Sequence, residues 1–296
     1  MTTPLTAESK TIGALVAWAR RSLNQARTEN AAQETLWLLA HGLGLESHYL
    51  ASKAEQPVSP EAWVRARSLV SRRVAREPLQ YILGTQEFCG LEFHVSPAVL
   101  IPRPESELLV QEVVRGGGLN KDAVLVDVGT GSGCVAITLA TILNGTRILA
   151  MDRSPEALAV AKNNAERHAV GDRIDWIEGD LLSPLRERGM VGAVDVIVSN
   201  PPYIAEADWA GLQPEVRLFE PRLALIGGHK GTEFHERLFR DSRAFLVPGG
   251  LLIMEIGQGQ AAALQQMAEQ IGGYAILQVV EDAAGIERVV IAQRLG

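Results

Sequence analysis

Asn200-Pro201-Pro202-Tyr203 follows directly on the apolar run Val194 to Ser199. An asparagine beside two prolines and an aromatic ring offers hydrogen-bond acceptors at which a planar NH2 group could dock, with a ring to stack on it. That arrangement suits methyl transfer to an amide or amino nitrogen. Asn and Pro are also ordinary turn residues, so a loop without chemistry accepts the same four.

A second constellation narrows the reading. Val124-Leu125-Val126-Asp127-Val128 is short, apolar and rich in β-branched residues, as expected of a buried parallel strand, and Gly129-Thr130-Gly131-Ser132-Gly133 follows at once. Glycines there let the backbone approach a ligand closely and turn tightly into a helix over 136–143. Asp152, just after the strand expected over 147–151, stands where dinucleotide folds place a carboxylate for ribose hydroxyls, a diol that adenosyl cofactors share. The Gly-x-Gly-x-Gly spacing departs from the Gly-x-Gly-x-x-Gly of dehydrogenases. Asp127, immediately before the glycines, suits the methionine end of an adenosyl ligand; a carboxylate that caps a strand end is the alternative.

On these segments, together with Gln80-Tyr81-Ile82-Leu83-Gly84, Glu87-Phe88, Val99 to Glu107 (Val-Leu-Ile-Pro-Arg-Pro-Glu-Ser-Glu) and Glu255-Ile256-Gly257, the chain resembles the release-factor glutamine methyltransferases, the HemK or PrmC family. The resemblance runs from about residue 75 to the C-terminus, with a looser likeness in the N-terminal helices. Asn-Pro-Pro-Tyr is shared with amino-methylating DNA enzymes, whereas Ile-Pro-Arg-Pro-Glu is more particular to this family. Ser106 stands where the family usually has Thr, which keeps the hydroxyl.

The resemblance implies S-adenosylmethionine as cofactor, with Gly129, Thr130, Gly131, Ser132 and Gly133 at its methionine part, Asp152 at the ribose, and Asp180 and Leu181 at the adenine. It further implies that the side-chain oxygen of Asn200 and the carbonyl of Pro201 accept the two amide protons of a glutamine, aiming its nitrogen at the sulfonium methyl. Pro201 and Pro202 have no N–H to compete and stiffen the geometry, while Tyr203 stacks on the amide. The implied substrate is the Gly-Gly-Gln glutamine of peptide-chain release factors. Asp180 reads equally as an Asx turn after its strand, and Glu105 and Glu107 as cleft residues or merely a good helix start after Pro104.

The elements that must position these groups are legible as two patterns. Ile12, Leu15, Val16, Ala19 and Leu23 mark one face of an amphipathic helix, and further helices are expected over 31–41 and 61–76, making a small bundle with Trp18, Trp37 and Trp63 in its core. Short alternating stretches between Pro78 and Pro97 predict a hairpin. Beyond Pro104, strands over 124–128, 147–151, 174–178, 194–199, 251–255, 275–280 and 287–292 alternate with helices, one of them capped by Ser154-Pro155. Only Glu281 to Ile286 separate the last two strands, so these pair antiparallel. The expected fold is α/β: a seven-stranded, mostly parallel, Rossmann-like sheet of class I methyltransferase type over residues 105–296, preceded by a helical substrate-docking domain over 1–77 and a β-hairpin linker over 78–104. The glycine turn, Asp152, Asp180 and Asn200 all follow strand C-termini and should meet at one crevice.

Composition bounds the partners. Hydrophobic residues make up 47% of the chain, as in a folded globular protein, and no uncharged apolar run approaches the ~20 residues that cross a bilayer. Met1 to Lys10 has no apolar signal core, so a cytoplasmic protein without membrane contact is expected. Cys89, Cys134 and the scattered histidines show no ligand spacing, so no metal is expected. Residues 1–85 hold ten Lys/Arg and seven Asp/Glu, a net +3, which leaves −10 of the total −7 to the remainder. An acidic remainder disfavours direct nucleic-acid binding. Arg65, Arg67, Arg72, Arg73 and Arg76 form either a solvated helix face or a cationic surface that docks the protein substrate. The competing functions are amino methylation of adenine in nucleic acid, which offers the same two donors, a non-enzymatic adenosyl sensor, and a dehydrogenase.

Overall fold

The computed structural model describes residues 10–116 and 122–296; Met1 to Ser9, most of the stretch read for a leader, lies outside the described residues. The chain divides into two units. One runs to Gly84 and takes in Pro214–Phe219; the other comprises Thr85–Gln213 and Glu220–Gly296. The linker expected over 78–104 is therefore divided between them. Among the described residues no helix is long and apolar enough to cross a membrane.

The first unit contains α1 (Ile12–Gln25), α2 (Ala31–Leu43), α3 (Tyr49–Ser52), α4 (Pro60–Val74) and α5 (Leu79–Leu83). Thr11 and Ser59 cap α1 and α4 by accepting the amides of Ala14 and Ala62, with Pro60 at the first turn of α4. Ile12, Leu15, Ala19 and Leu23 form the buried stripe of α1 and pack with Leu38, Leu39, Ala66 and Val70. Of the three tryptophans expected in this core, Trp63 is buried but Trp37 is 44% exposed. Trp18 is half-buried and lies under the Arg67 guanidinium, 4.6 Å from its ring centre.

Three of the arginines considered for docking are spent inside this unit. Arg72 pairs with Glu77 at 2.5 Å. Arg73, itself buried, binds Glu34 at 2.6 Å and Glu215 at 2.9 Å, and Arg76 reaches Glu215 at 2.7 Å. The partners of Arg73 and Arg76 are distant in sequence and that of Arg72 is near, so three of the five arginines that read as a cationic surface are held in ion pairs.

The second unit opens with β1 (Thr85–Phe88) and β2 (Leu91–His94), an antiparallel hairpin turning through Cys89 and Gly90, both at positive φ (49° and 76°). Primed two-residue turns require that conformation. There follow α6 (Glu107–Arg115), β3 (Val124–Val128), α7 (Cys134–Ile142), β4 (Arg147–Asp152), α8 (Pro155–Arg167), β5 (Ile174–Glu178), α9 (Ser183–Glu187), β6 (Val194–Ser199) and β7 (Ile204–Ala205). After α10 (Pro214–Phe219), which belongs to the helical unit, come β8 (Ile226–Gly228), α11 (Glu233–Phe245), β9 (Leu246–Glu255), α12 (Ala261–Ile271), β10 (Tyr274–Glu281) and β11 (Glu287–Arg294).

The seven-stranded sheet has the order β10-β11-β9-β6-β3-β4-β5. β11 runs antiparallel to both β10 and β9, and the remaining pairs are parallel. Strand alternation feeds two cores. Val126, Leu149, Ile197 and Leu252 pack with Leu238 and Leu264 of α11 and α12, while Leu125, Ile148 and Val196 pack with Leu109, Ile137 and Ala165 of α6, α7 and α8. Strand β9 starts at Leu246, earlier than its apolar run suggests, because Pro248-Gly249-Gly250 continues the strand through a register shift. That tripeptide reads as a turn in sequence.

Candidate active site

Strand order reverses at β3, between β6 and β4, and ligands of open α/β sheets bind outside the carboxyl ends of strands at such a point. A cleft there is lined by Asp127 to Ser132, Asp152, Asp180, Leu181 and Asn200 to Pro202. Its further wall holds Val99, Leu100, Arg103, Ser106, Leu223 and Phe234. Two of the expected site residues, Gly133 and Tyr203, are not part of this lining.

Asp127 is 2% exposed. Its position in β3 alternates onto the α7 face, where Oδ2 accepts the Thr130 hydroxyl at 2.7 Å and the Ala136 amide at 3.2 Å. Burial pushes its carboxyl up to about 7; these two donors pull the other way, and neighbouring Asp152 adds to the rise. The turn that follows is anchored by Met151, whose carbonyl accepts both the Gly129 and the Thr130 amides. Gly133 is closely packed: a Cβ there would sit 2.8 Å from Ile137 Cδ1 and 3.1 Å from Ala161 Cβ, with φ at +81°.

Asp152 accepts the Gly131 amide through Oδ2 and the Ser154 amide through Oδ1, both at 2.9 Å, so it ties the glycine turn to the start of α8. Burial raises its pKa, with the Ser154 and Gly131 amides opposing. Asp180 forms a surface ion pair with Arg237 at 2.6 Å. Its neighbour Leu181 has φ at +48°, a strained setting for a branched side chain, and such strain concentrates where a site needs a particular geometry.

The Asn200 carboxamide is held by a chain of hydrogen bonds. Its Nδ2 donates to Ser106 Oγ at 3.0 Å, and Ser106 donates to Glu255 Oε2 at 2.5 Å. Tyr203 is turned from the cleft, its hydroxyl donating to Glu255 Oε1 at 3.2 Å. Gln260 fixes the backbone behind it, accepting from Gly257 N at 2.9 Å and donating to the Tyr203 carbonyl at 3.0 Å. Gly227 on β8 packs against the same backbone, where a Cβ would meet Pro202 O at 2.5 Å and Tyr203 Cα at 2.9 Å.

Several groups here escape sequence reading. Glu255 and Ser106 stand in segments quoted for the resemblance but had no role. Glu220 accepts from the Ile101 amide at 3.3 Å and from Arg103 at 2.5 Å, which braces the Ile-Pro-Arg-Pro-Glu segment along the cleft. Of the two acids left open, Glu107 accepts the Cys89 amide at 2.8 Å, a contact with the hairpin.

Residues 14–84 match the model of the PrmC N-terminal domain, and residues 104–213 match that of the methyltransferase small domain. The release factor glutamine methyltransferase of Geobacter sulfurreducens is 45% identical over 280 residues, covering 95% of each chain. The chain belongs to this family of methyltransferases. The corresponding enzyme of Moorella thermoacetica is 40% identical over 276 residues, 93% of this chain and 96% of that one. Among solved structures the hMettl16 catalytic domain, crystallised with an RNA hairpin, superimposes with a TM-score of 0.54 at 20% identity, over 79% of this chain and 82% of that one. That likeness extends the fold, a class I methyltransferase sheet.

Release factor glutamine methyltransferases use S-adenosylmethionine, a ligand with a cationic sulfonium and an ammonium at one end and a ribose diol at the other. The lining of the cleft suits the cationic end. Asp127 is a buried carboxylate held by neutral donors alone, the setting for a cationic guest, and the lining at Gly129 and Gly131 brings bare backbone up to the cleft.

Proposed function

We propose that this chain transfers a methyl group from S-adenosylmethionine to the side-chain amide nitrogen of the Gly-Gly-Gln glutamine in peptide-chain release factors. The supporting observation is the state of Asn200: its NH2 is committed to Ser106, which leaves Oδ1 as the acceptor. An acceptor is what a primary amide, with two protons to place, requires.

The cofactor supplies an electrophilic methyl on a positively charged sulfur. The protein must present a poor nucleophile, since the amide lone pair is delocalised into its carbonyl. We assign Asn200 Oδ1 and the Pro201 carbonyl to hold the two amide protons, with Pro201 and Pro202 stiffening the pair. Charge placement and orientation then carry the catalysis. Asp127 would hold the ammonium end, Asp152 the ribose, and Asp180 with Leu181 the adenine side, with Thr130, Gly131 and Ser132 lining the turn between. Tyr203 is assigned to bracing the motif, in place of stacking on the amide. The helical unit is assigned to docking the release factor, with exposed Arg65 and Arg67 in place of the internally paired arginines.

The test is to incubate the protein with methyl-labelled S-adenosylmethionine and either purified release factor or duplex DNA. Label should enter the release factor, and a release factor lacking the glutamine should stay unlabelled. Asn200→Ala should keep cofactor affinity and lose about 100-fold or more in turnover. Label in DNA alone, or full turnover by the variant, would refute the reading.

A further inference from the structure

We propose that Ser106 and Glu255 are positioning residues for methyl transfer: together they set the rotation of the Asn200 carboxamide so that its oxygen, and not its nitrogen, meets the substrate amide. This rests on the role given to Asn200 above.

Hydrogen-bond direction decides which end of the carboxamide faces the cleft. Three segments distant in the chain converge, Ser106 ahead of α6, Asn200 after β6 and Glu255 at the end of β9. An ionised carboxylate can only accept, and a serine hydroxyl has one proton to give. Ser106 gives that proton to Glu255. Toward Asn200 it can therefore only accept, so Asn200 must turn its NH2 to Ser106. The two ends of a carboxamide are nearly equal in size, and nothing in its shape favours one rotation over the other. The direction of this relay does. Tyr203 donates to the second oxygen of Glu255, so one carboxylate orders both the first and the last residue of the Asn-Pro-Pro-Tyr segment.

Glu255 is 1% exposed, a costly place for a negative charge. Burial pushes its carboxyl up to about 7; Ser106 and Tyr203 oppose the rise, nearby Glu105 adds to it and Arg288 lessens it. Arg288 does not neutralise it directly, since its guanidinium is paired with Asp282 at 2.8 Å. His235, whose Nε2 bonds the Glu255 carbonyl, is itself buried and pushed down to about 4, so it stays neutral while Glu255 titrates. Once protonated, Glu255 can donate to Ser106 and reverse the relay. Ser106 would then donate to Asn200 Oδ1 and turn the NH2 toward a substrate that has only donors to offer.

Turnover of the full chain on release factor, with saturating S-adenosylmethionine, tests this in wild type, Ser106→Ala, Ser106→Thr and Glu255→Gln, alongside calorimetric affinity for S-adenosylhomocysteine. Ser106→Ala should lower kcat by about 10- to 100-fold while KM for the release factor and S-adenosylhomocysteine affinity move less than about threefold. Ser106→Thr should recover most of that loss. Wild-type kcat should fall as pH drops through about 7, and Glu255→Gln should remove that inflection. The relay is overturned if Ser106→Ala turns over within about threefold of wild type, if its loss is matched by lost S-adenosylhomocysteine affinity that Ser106→Thr does not restore, or if Glu255→Gln keeps the inflection. A wild-type protein that leaves the release factor unmethylated removes the substrate reading and the relay with it; an active wild type with indifferent variants removes the relay alone.

Discussion

The ion-pair network of the helical unit and the carboxylates Asp127 and Glu255 of the second unit bury charge in opposite ways. In the helical unit Arg73 is enclosed by two carboxylates, Glu34 and Glu215, and Glu215 also takes Arg76. At the cleft Asp127 and Glu255 are as deeply buried, yet their hydrogen-bond donors are hydroxyls and a backbone amide. The consequence appears in the proton affinities. Burial works against the charge of Glu215, but Arg73 and Arg76 prevail and hold its carboxyl below the usual range, whereas Asp127 and Glu255 are both pushed up to about 7. A compensated buried charge belongs to structure, and one left to neutral donors belongs to chemistry, where a cationic guest or a change of protonation completes it.

The strongest way to break this contrast is to remove the cation from the helical unit. Arg73→Met leaves Glu34 buried without its partner and should cost about 3–5 kcal/mol in denaturant unfolding followed at the helical unit; a loss under about 1 kcal/mol would mean the network is ornamental. Acid provides the next test, because the signs differ. A raised carboxylate binds protons more tightly when folded, so Asp127 and Glu255 each withdraw stability as pH rises from about 4 to about 7, on the order of 3 kcal/mol apiece. The depressed Glu215 does the reverse, its contribution being present above the usual carboxylate pKa and lost as pH falls below it. Hydrogen exchange should therefore show β3 and β9 better protected near pH 4 than near pH 8 and α4 losing protection only below the ordinary carboxylate value of 4.5, and Asp127→Asn with Glu255→Gln should flatten the response of the strands only. The smallest effect belongs to Asp180, an exposed carboxylate with an exposed partner. Arg237→Ala should change stability by less than about 1 kcal/mol, and a larger loss in thermal unfolding would place that pair with the structural network.

What the sequence makes legible is local. The strands over 124–128, 174–178 and 194–199 agree with β3, β5 and β6 as found: β3 and β6 are mostly apolar, as central parallel strands are, and β5, at the edge of the sheet, shows buried Ile174 and Ile177 among exposed polar residues. The Ser154 cap expected from Ser154-Pro155 is found, its Oγ accepting the Ala157 amide at 3.1 Å. Convergence of Asp127, Asp152, Asp180 and Asn200 on one cleft follows from their places at or just past the C-terminal ends of strands. Pairings between distant side chains carry no comparable signal. Nothing in Pro-Arg-Pro-Glu-Ser-Glu announces that Ser106 will meet Glu255, and nothing in an arginine-rich helix shows that acids at 34, 77 and 215 will consume its charge. Trp37 departs from expectation for the same reason: periodicity places it on a helix, but which flank the bundle leaves uncovered depends on how α1, α2 and α4 pack.

Glu215 also bears on how this protein can be cut apart. The helical unit is not a contiguous stretch of chain, because it borrows Pro214–Phe219 from far downstream. A fragment ended at Gly84 keeps all five N-terminal helices but forfeits the carboxylate that Arg73 and Arg76 share. Such a truncation would emerge with surplus cations where the intact protein has none to spare, and its affinity for an acidic partner would report on the scissors and not on the native surface.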